Sequence, residues 1–388
     1  MKVIVTKVAE KKIKKGIPLI TKEDLTREEV LNQEVSFVSL SGETLGIGYL
    51  SKQNKGIGWF LSSKETSIQE VWLCKLFMQA KAKRERLLQD EWTNAFRLFN
   101  GEGDGFGGFV IDQYDSYAVF HWYNEFVYSI RERIIRAFRE VFPEIEGAYE
   151  KNRFDNPLCE NAHLFGNVGQ FPMVVKENGV NYAVYLDEGW MTGIFLDQRE
   201  VRGRLVDGLL AGKNVLNMFS YTGAFSVAAS VGGATQTTSV DLAKRSLEKT
   251  REQFEVNGLP VEQQKIYVMD VFRYFDYAKK HQLTYDTIIL DPPSFARNGK
   301  KSFSVAKNYG ELIEQSVEIL SKNGIIIASA NAANITREKF QQNIETALKK
   351  KNVQYQFFDK KSLPEDFPAV KGFSESDYLK VFFIKIKF

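Results

Sequence analysis

Two cysteines, Cys74 and Cys159, in 388 residues are too few for a disulfide framework and point to a reducing compartment. Histidine is as scarce. His121, His163 and His281 lie far apart, no CxxC occurs, and a zinc site is not expected. Long apolar runs are missing too. None approaches the roughly 18 residues that cross a bilayer, and none follows the basic N-terminus as in a secretory leader. The expected setting is the cytoplasm, with neither membrane nor metal among the partners. Excess charge of one sign is also lacking: 52 Lys and Arg against 49 Asp and Glu leave a net charge of +3. The whole-chain balance therefore does not announce a nucleic-acid binder. Nor is there an internal repeat or a low-complexity tract.

What is present is the composition of a globular protein, 44% hydrophobic and 26% charged, in a chain long enough for two or three domains. Charge is uneven locally. The opening MKVIVTKVAEKKIKK concentrates lysines, and Lys81, Lys83, Arg84 and Arg86 form a second basic group. Each is either a phosphate-facing stripe or an ordinary solvated face.

Up to about Ser63 the chain reads as short β segments (VIVTKV, EVSFVSL, SGETLGIGYL, KGIGWFLS) punctuated by glycines, a small twisted barrel or roll. A helix is expected from about Ile68 to Arg97, then a glycine-rich loop between two strand-like runs, then a helix from Phe126 to Val141 and further strands. From about Asp187 apolar runs alternate with amphipathic helices: NVLNMF, TQTTSVDL, KIYVMD, YDTIILDPP and GIIIASAN are the strands. That rhythm predicts a mostly parallel sheet covered on both faces. VQYQFFD and DYLKVFFIKI, joined by a loop, predict an antiparallel hairpin at one edge. The expected domains are 1–64, 65–186 and 187–388.

Ligands of open parallel sheets bind beyond the carboxyl ends of the strands. After the first strand stand Asn217, Met218, Phe219, Ser220, Tyr221, Thr222, Gly223, Ala224 and Phe225, where one glycine permits a tight turn into a helix N-terminus. Asp241, with Leu242, ends the second strand 18 residues beyond Gly223, and a carboxylate there can accept both hydroxyls of a ribose. Asp270, followed by Val271 and Phe272, ends the third and is placed to reach an adenine amino group. Asp291, Pro292, Pro293, Ser294 and Phe295 follow the fourth. An aspartate alone is more often a cap or turn former, and one glycine turn decides nothing; the glycine turn and the three aspartates, in order at four strand ends, point to a nucleoside cofactor. Nicotinamide dinucleotides want G-x-G-x-x-G for their pyrophosphate. S-adenosylmethionine has no pyrophosphate, so one glycine suffices.

FSYTGAF, VDLAKRSLE, MDVF and DPPSF together resemble the class I methyltransferase motifs. More narrowly, GWMTGIFLDQREVR and ESDYLKVFFI are similar to the bacterial large-subunit ribosomal RNA methyltransferase family, and KKIKKGIPLI, LGIGYLS and GEGDGFGGFVIDQY extend the likeness over nearly the whole chain. The resemblance implies an α/β fold: a Rossmann-like catalytic domain with a mostly parallel seven-stranded sheet, preceded by a small β PUA-like domain and an α+β middle domain. It implies S-adenosylmethionine as cofactor and ribosomal RNA as partner, and it leaves a homodimer open. Phe219 to Phe225 would cradle the methionine moiety, Asp241 the ribose and Asp270 the adenine. Gln198 and Arg199 would lie close by, or else form a helix-start ion pair. Asp291 to Phe295 would line the place where the base meets the methyl group.

One branch of that family methylates cytosine carbon 5, which needs a cysteine thiolate. The family places that cysteine just after the fifth strand, where this chain has Asn331; neither Cys74 nor Cys159 lies in the catalytic half. Another branch methylates a guanine ring nitrogen, already nucleophilic, and DPPSFARNGKKSF fits it better. Asn331 would then read a base edge, or cap a buried loop. Phe295 or Tyr221 would stack on a flipped base, or belong to the core. The alternatives are carbon-5 chemistry with an unrecognised nucleophile and a non-catalytic assembly factor that keeps the cofactor fold.

Overall fold

The computed structural model describes residues 1–53, 56–298 and 301–387, which gather into two compact units. One comprises Met1–Val175, Tyr185–Thr192 and Glu365–Ser376; the other comprises Lys176–Val184, Gly193–Pro364 and Asp377–Phe388.

The first unit opens with a five-stranded sheet in the order Lys2–Ile4, Gln33–Val38, Thr44–Gln53, Gly56–Ser62, Leu19–Ile20. The basic opening is not all strand. Lys7–Lys14 forms a helix, with Thr6 accepting from the Ala9 amide at its start and Ala9 and Ile13 buried one turn apart. Two apolar residues among so many lysines make a stripe too narrow to recognise as an amphipathic pattern. Lys7, Lys11 and Lys15 face solvent, while Lys12 pairs with Asp24 at 2.5 Å and Lys14 with Glu10 at 2.7 Å.

A second sheet runs in the order Asn161–Gly166, Gly147–Asn152, Tyr117–Trp122, Phe109–Tyr114, Ala95–Asn100. Helices Glu70–Lys83 and Arg131–Val141 pack against each other, and their Phe77 and Phe138 join Phe99 and Phe120 in the core. The expected helix to Arg97 therefore stops early. A short turn, Glu85–Leu88, follows, and Ala95–Asn100 is a strand paired with Phe109–Tyr114. Arg84 marks the break. Its guanidinium turns inward, fully buried, and bonds both Asp104 oxygens at 2.9 and 2.6 Å. Lys83 joins the same carboxylate at 2.8 Å, and Lys81 pairs with Glu144 at 2.7 Å. Of the second basic group, Arg84 is thus an internal ion pair, while Lys81, Lys83 and Arg86 keep solvent-facing surface.

The second unit is built on seven strands: β1 (Asn214–Met218), β2 (Gln236–Asp241), β3 (Lys265–Val268), β4 (Tyr285–Leu290), β5 (Leu320–Asn331), β6 (Gln354–Lys361) and β7 (Leu379–Lys387). Their order is β3-β2-β1-β4-β5-β7-β6. The first five are parallel, as buried apolar runs separated by helices require. β7 inserts antiparallel between β5 and β6, the expected edge hairpin. The intervening helices are α1 (Ala224–Val231), α2 (Ser246–Glu255), α3 (Val271–Lys280), α4 (Val305–Glu318) and α5 (Arg337–Lys350). Two apolar clusters fill the sheet faces, one around Ile288, Ile313 and Ile344, the other around Leu205, Val215 and Phe383. A strand at Val180–Val184 docks on α2, where Gln253 exchanges two 2.8 Å hydrogen bonds with the Ala183 backbone. Between β4 and α4 lies an unexpected small hairpin, Phe295–Asn298 with Lys301–Ser304; positions 299–300 of the DPPSFARNGKKSF stretch lie outside the described residues.

Candidate active site

Strand register aligns the carboxyl ends. Met218 pairs with Val240 and Leu290, Val240 with Tyr267, and Leu290 with Ala328. The next residue on each strand is Phe219, Asp241, Val268, Asp291 and Ser329, one row across the sheet. Strands sit about 4.8 Å apart, so Asp241 and Asp291, on either side of β1, are roughly 10 Å from each other.

The loop leaving β1 is shaped by unusual backbone. Phe219 (φ 59°), Tyr221 (φ 52°) and Gly223 (φ 78°) all lie in the left-handed region. Two non-glycine residues there store strain, which persists only where surrounding contacts enforce it. Those contacts are present. The Ser220 amide donates to Val240 O at 3.0 Å and the Gly223 amide to Ser220 O at 2.7 Å. The Tyr221 amide donates to Asp241 Oδ2 at 2.9 Å, and the Thr222 hydroxyl to Gly193 O at 2.6 Å. A Cβ on Gly223 would lie 2.6 Å from Thr250 Cγ2, so the turn has no room for a side chain. Beneath it Asn217 donates to Ser226 Oγ at 3.0 Å, and Ser226 pairs with Ser239 at 2.7 Å. Ala224 and Phe225, both buried, start α1 directly behind the loop.

Asp241 is fixed by two backbone donors, Tyr221 N on one oxygen and Ala243 N at 2.8 Å on the other. Each oxygen keeps a lone pair for a further donor. Leu242 beside it is 56% exposed. Asp270 caps α3, its Oδ1 accepting from Phe272 N at 3.1 Å and Arg273 N at 3.2 Å. Both carboxylates therefore also play the turn-forming role that is their structural alternative. Val271 is buried, while the Phe272 and Phe219 rings each lie 6.2 Å from Phe303.

A denser polar cluster sits at the ends of β4 and β5. Gln198 donates from one amide nitrogen to Asp291 Oδ1 at 3.0 Å and Ser329 Oγ at 2.9 Å. Asp197 Oδ2 accepts from the Tyr378 hydroxyl at 3.1 Å and, at 3.4 Å, from Asn331. Burial pushes the Asp291 carboxyl up to about 6; the bond from Ser329 opposes this, the charge of Asp197 adds to it, and Arg202 and Gln198 oppose it. Pro292 is buried, whereas Pro293, Ser294 and Phe295 face solvent, Phe295 with 62% of its surface. The Tyr221 ring lies 5.3 Å from that of Phe195.

Gln198 thus joins Asp291, and Asn331 reaches the same cluster through Asp197. Arg199 is buried, its carbonyl accepting from Asn178 at 3.1 Å and its Nε lying 3.9 Å from Glu200. Sequence reasoning assigned no role to Asp197, Ser329, Tyr378 or the buried pair Arg202–Glu177, whose contacts are 2.6 and 2.7 Å. Asp197 and Tyr378 do lie inside the two most telling motifs, GWMTGIFLDQREVR and ESDYLKVFFI. Glu177, 25 residues before its partner, leaves no such signal.

A profile described as S-adenosylmethionine-dependent methyltransferase matches residues 157–382, and one described as PUA-like domain matches residues 3–63. A Bacillus subtilis (strain 168) protein, provisionally named a ribosomal RNA large subunit methyltransferase, is 46% identical over the full length of both chains. Ribosomal RNA large subunit methyltransferase I of Shewanella amazonensis is 29% identical, covering 90% of this chain and 89% of its own. Among solved structures, a provisionally assigned methyltransferase complexed with SAH superposes with a TM-score of 0.94 at 50% identity, covering 99% of this chain and 100% of the other.

Proposed function

Because the chain belongs to the S-adenosylmethionine-dependent methyltransferase family, we propose that it methylates a base of large-subunit ribosomal RNA without a cysteine nucleophile. The observation that carries this reading is the half-buried Asp291 held by the buried Gln198 and Ser329 next to the exposed Pro293-Ser294-Phe295 turn, at the same carboxyl ends as the strained β1 loop. A base that leaves its stack is read by polar groups and stacked on aromatic ones, and those residues supply polar groups beside an exposed aromatic ring.

The residues present fit the cofactor. The β1 loop can approach a ligand only because Gly223 carries no side chain against Thr250, and the left-handed Phe219 and Tyr221 turn the backbone of this loop over the strand ends. Residues Phe219 to Phe225 hold the methionine part, Asp241 the ribose and Asp270 the adenine. When bound, the cofactor supplies an electrophilic methyl group. Asp291, with Pro292 to Ser294, positions the base, and Phe295 or Tyr221 stacks on it. The accessible Lys7, Lys11 and Lys15 of the PUA-like segment meet RNA phosphates. The residues of the catalytic unit include no cysteine, so carbon-5 attack on cytosine lacks its thiolate, and a target with its own nucleophilic lone pair is favoured. No helix among the described residues is long and apolar enough to cross a membrane, and ribosomal RNA is met in the cytoplasm.

Large-subunit RNA from cells lacking the gene, compared with wild type by nucleoside mass spectrometry, should miss one base methylation, restored by the wild-type gene but not by Asp291→Ala. An unchanged methylation pattern overturns the proposal. RNA carrying 5-fluorocytidine should form no covalent adduct with the protein; a trapped adduct would mean that an unrecognised nucleophile acts.

A further inference from the structure

Asp291 does not stand alone in its pocket. Gln198 ties it to Ser329 on β5, and two residues further along β5 Asn331 leads to Asp197, which Tyr378 also bonds. Asp197 and Gln198 belong to one short turn, Leu196–Gln198, and both side chains are buried. Two carboxyl groups therefore enter the same low-dielectric cluster, with neutral donors between them. Among the described residues, the charged groups that act most strongly on Asp291 are Asp197 from this turn and Arg202 from the following helix. Arg202 is committed elsewhere, forked onto Glu177 at 2.6 and 2.7 Å and onto Phe195 O at 2.7 Å. On α4 the Tyr309 hydroxyl donates to Leu290 O at 3.1 Å, and on β5 Ser329 bonds the Asp291 carboxyl.

We propose that Asp197 is a positioning residue for Asp291: held in place by Asn331 and Tyr378 one residue before Gln198, it puts a second carboxylate in the cluster that holds Asp291 and strengthens that carboxyl's hold on its proton. Like charges in one site raise the last proton's affinity, and a carboxyl poised near working pH can both accept a proton and release it. The burial of Asp291 acts in the same sense. This inference rests on the methyltransferase reading only where catalysis is measured; the ionisation itself is a property of the free protein.

The test is carboxyl-carbon NMR of the full-length protein labelled at aspartate, with the Asp291 signal identified by its loss in Asp291→Asn. Wild type should titrate at about 6. Asp197→Asn, which keeps the shape and removes the charge, should move that midpoint to lower pH by roughly one pH unit. Tyr378→Phe weakens the anionic form of Asp197 and should shift it the same way by less; it also carries the test if Asp197→Asn does not fold. The acid limb of kcat for methyl transfer should follow the NMR midpoint while SAH affinity stays unchanged. An Asp291 midpoint that stays in place in the variants overturns the inference whatever the activity. A shifted midpoint with no methyl transfer by the wild type would instead refute the methyltransferase reading and leave the pairing intact.

Discussion

Replacing Gly223 with alanine tests whether the β1 loop is built as described. Two separate costs apply. The residue sits at φ 78°, and an alanine held there loses roughly 1–2 kcal/mol to Cβ–carbonyl crowding. The new methyl would also meet Thr250, with Cγ2 at 2.6 Å, Oγ1 at 3.1 Å and Cβ at 3.3 Å. Thr250 is fully buried on α2 and cannot swing into solvent, so an overpacking cost of about 1–3 kcal/mol is added. Gly223→Ala should therefore destabilise the protein by about 2–5 kcal/mol in urea denaturation, with m unchanged. A cycle with Thr250→Ala separates the parts: the coupling energy should recover the overpacking and leave the backbone cost behind. A neutral Gly223→Ala, or zero coupling with Thr250, would refute this account of the loop.

Other residues make equally definite predictions. Arg202→Met leaves Glu177 ionised and unpaired in the core and should cost about 3–5 kcal/mol, whereas Arg202→Met with Glu177→Gln should cost less; both are read by denaturant unfolding. Asp291→Ala should abolish methyl transfer while its far-UV circular dichroism stays that of the wild type, since the carboxyl costs the fold more by burial than it returns. Burial lowers His121 to about 4, against the Asp112 carboxylate 3.2 Å from its Nε2, which raises it. Between about pH 6.5 and 4 the unfolded chain takes up a proton that the folded chain refuses. Stability should fall as pH drops through that window, by up to about 3 kcal/mol, in thermal melts at stepped pH; His121→Gln should flatten the slope.

The catalytic sheet was legible because its strands are buried on both faces and read as unbroken apolar runs between amphipathic helices, from NVLNMF to GIIIASAN. Aspartates that end such strands are pinned by topology, so Asp241, Asp270 and Asp291 could be placed without coordinates. Elsewhere the signal was ambiguous. Lys7–Lys14 hides a helix whose apolar stripe is only Ala9 and Ile13, and the Ala95–Asn100 strand follows helical turns closely enough to blur the period. Buried charge is the harder case. Arg84 looked like surface because its partner Asp104 lies 20 residues on, and Asp197 became visible as part of the site only when folding brought Asn331 and Tyr378 to it. Local pattern records which face of an element is apolar. It does not record which polar groups meet across elements.

Methyl transfer to RNA is open to one direct experiment. Purified protein is incubated with tritiated S-adenosylmethionine and large-subunit ribosomal RNA from a strain lacking the gene, and the RNA is then digested to nucleosides. Label should appear in a single methylated base other than 5-methylcytidine, and none should appear with Asp291→Ala. Cofactor binding without label in naked RNA or in assembled subunits would contradict methyl transfer to RNA.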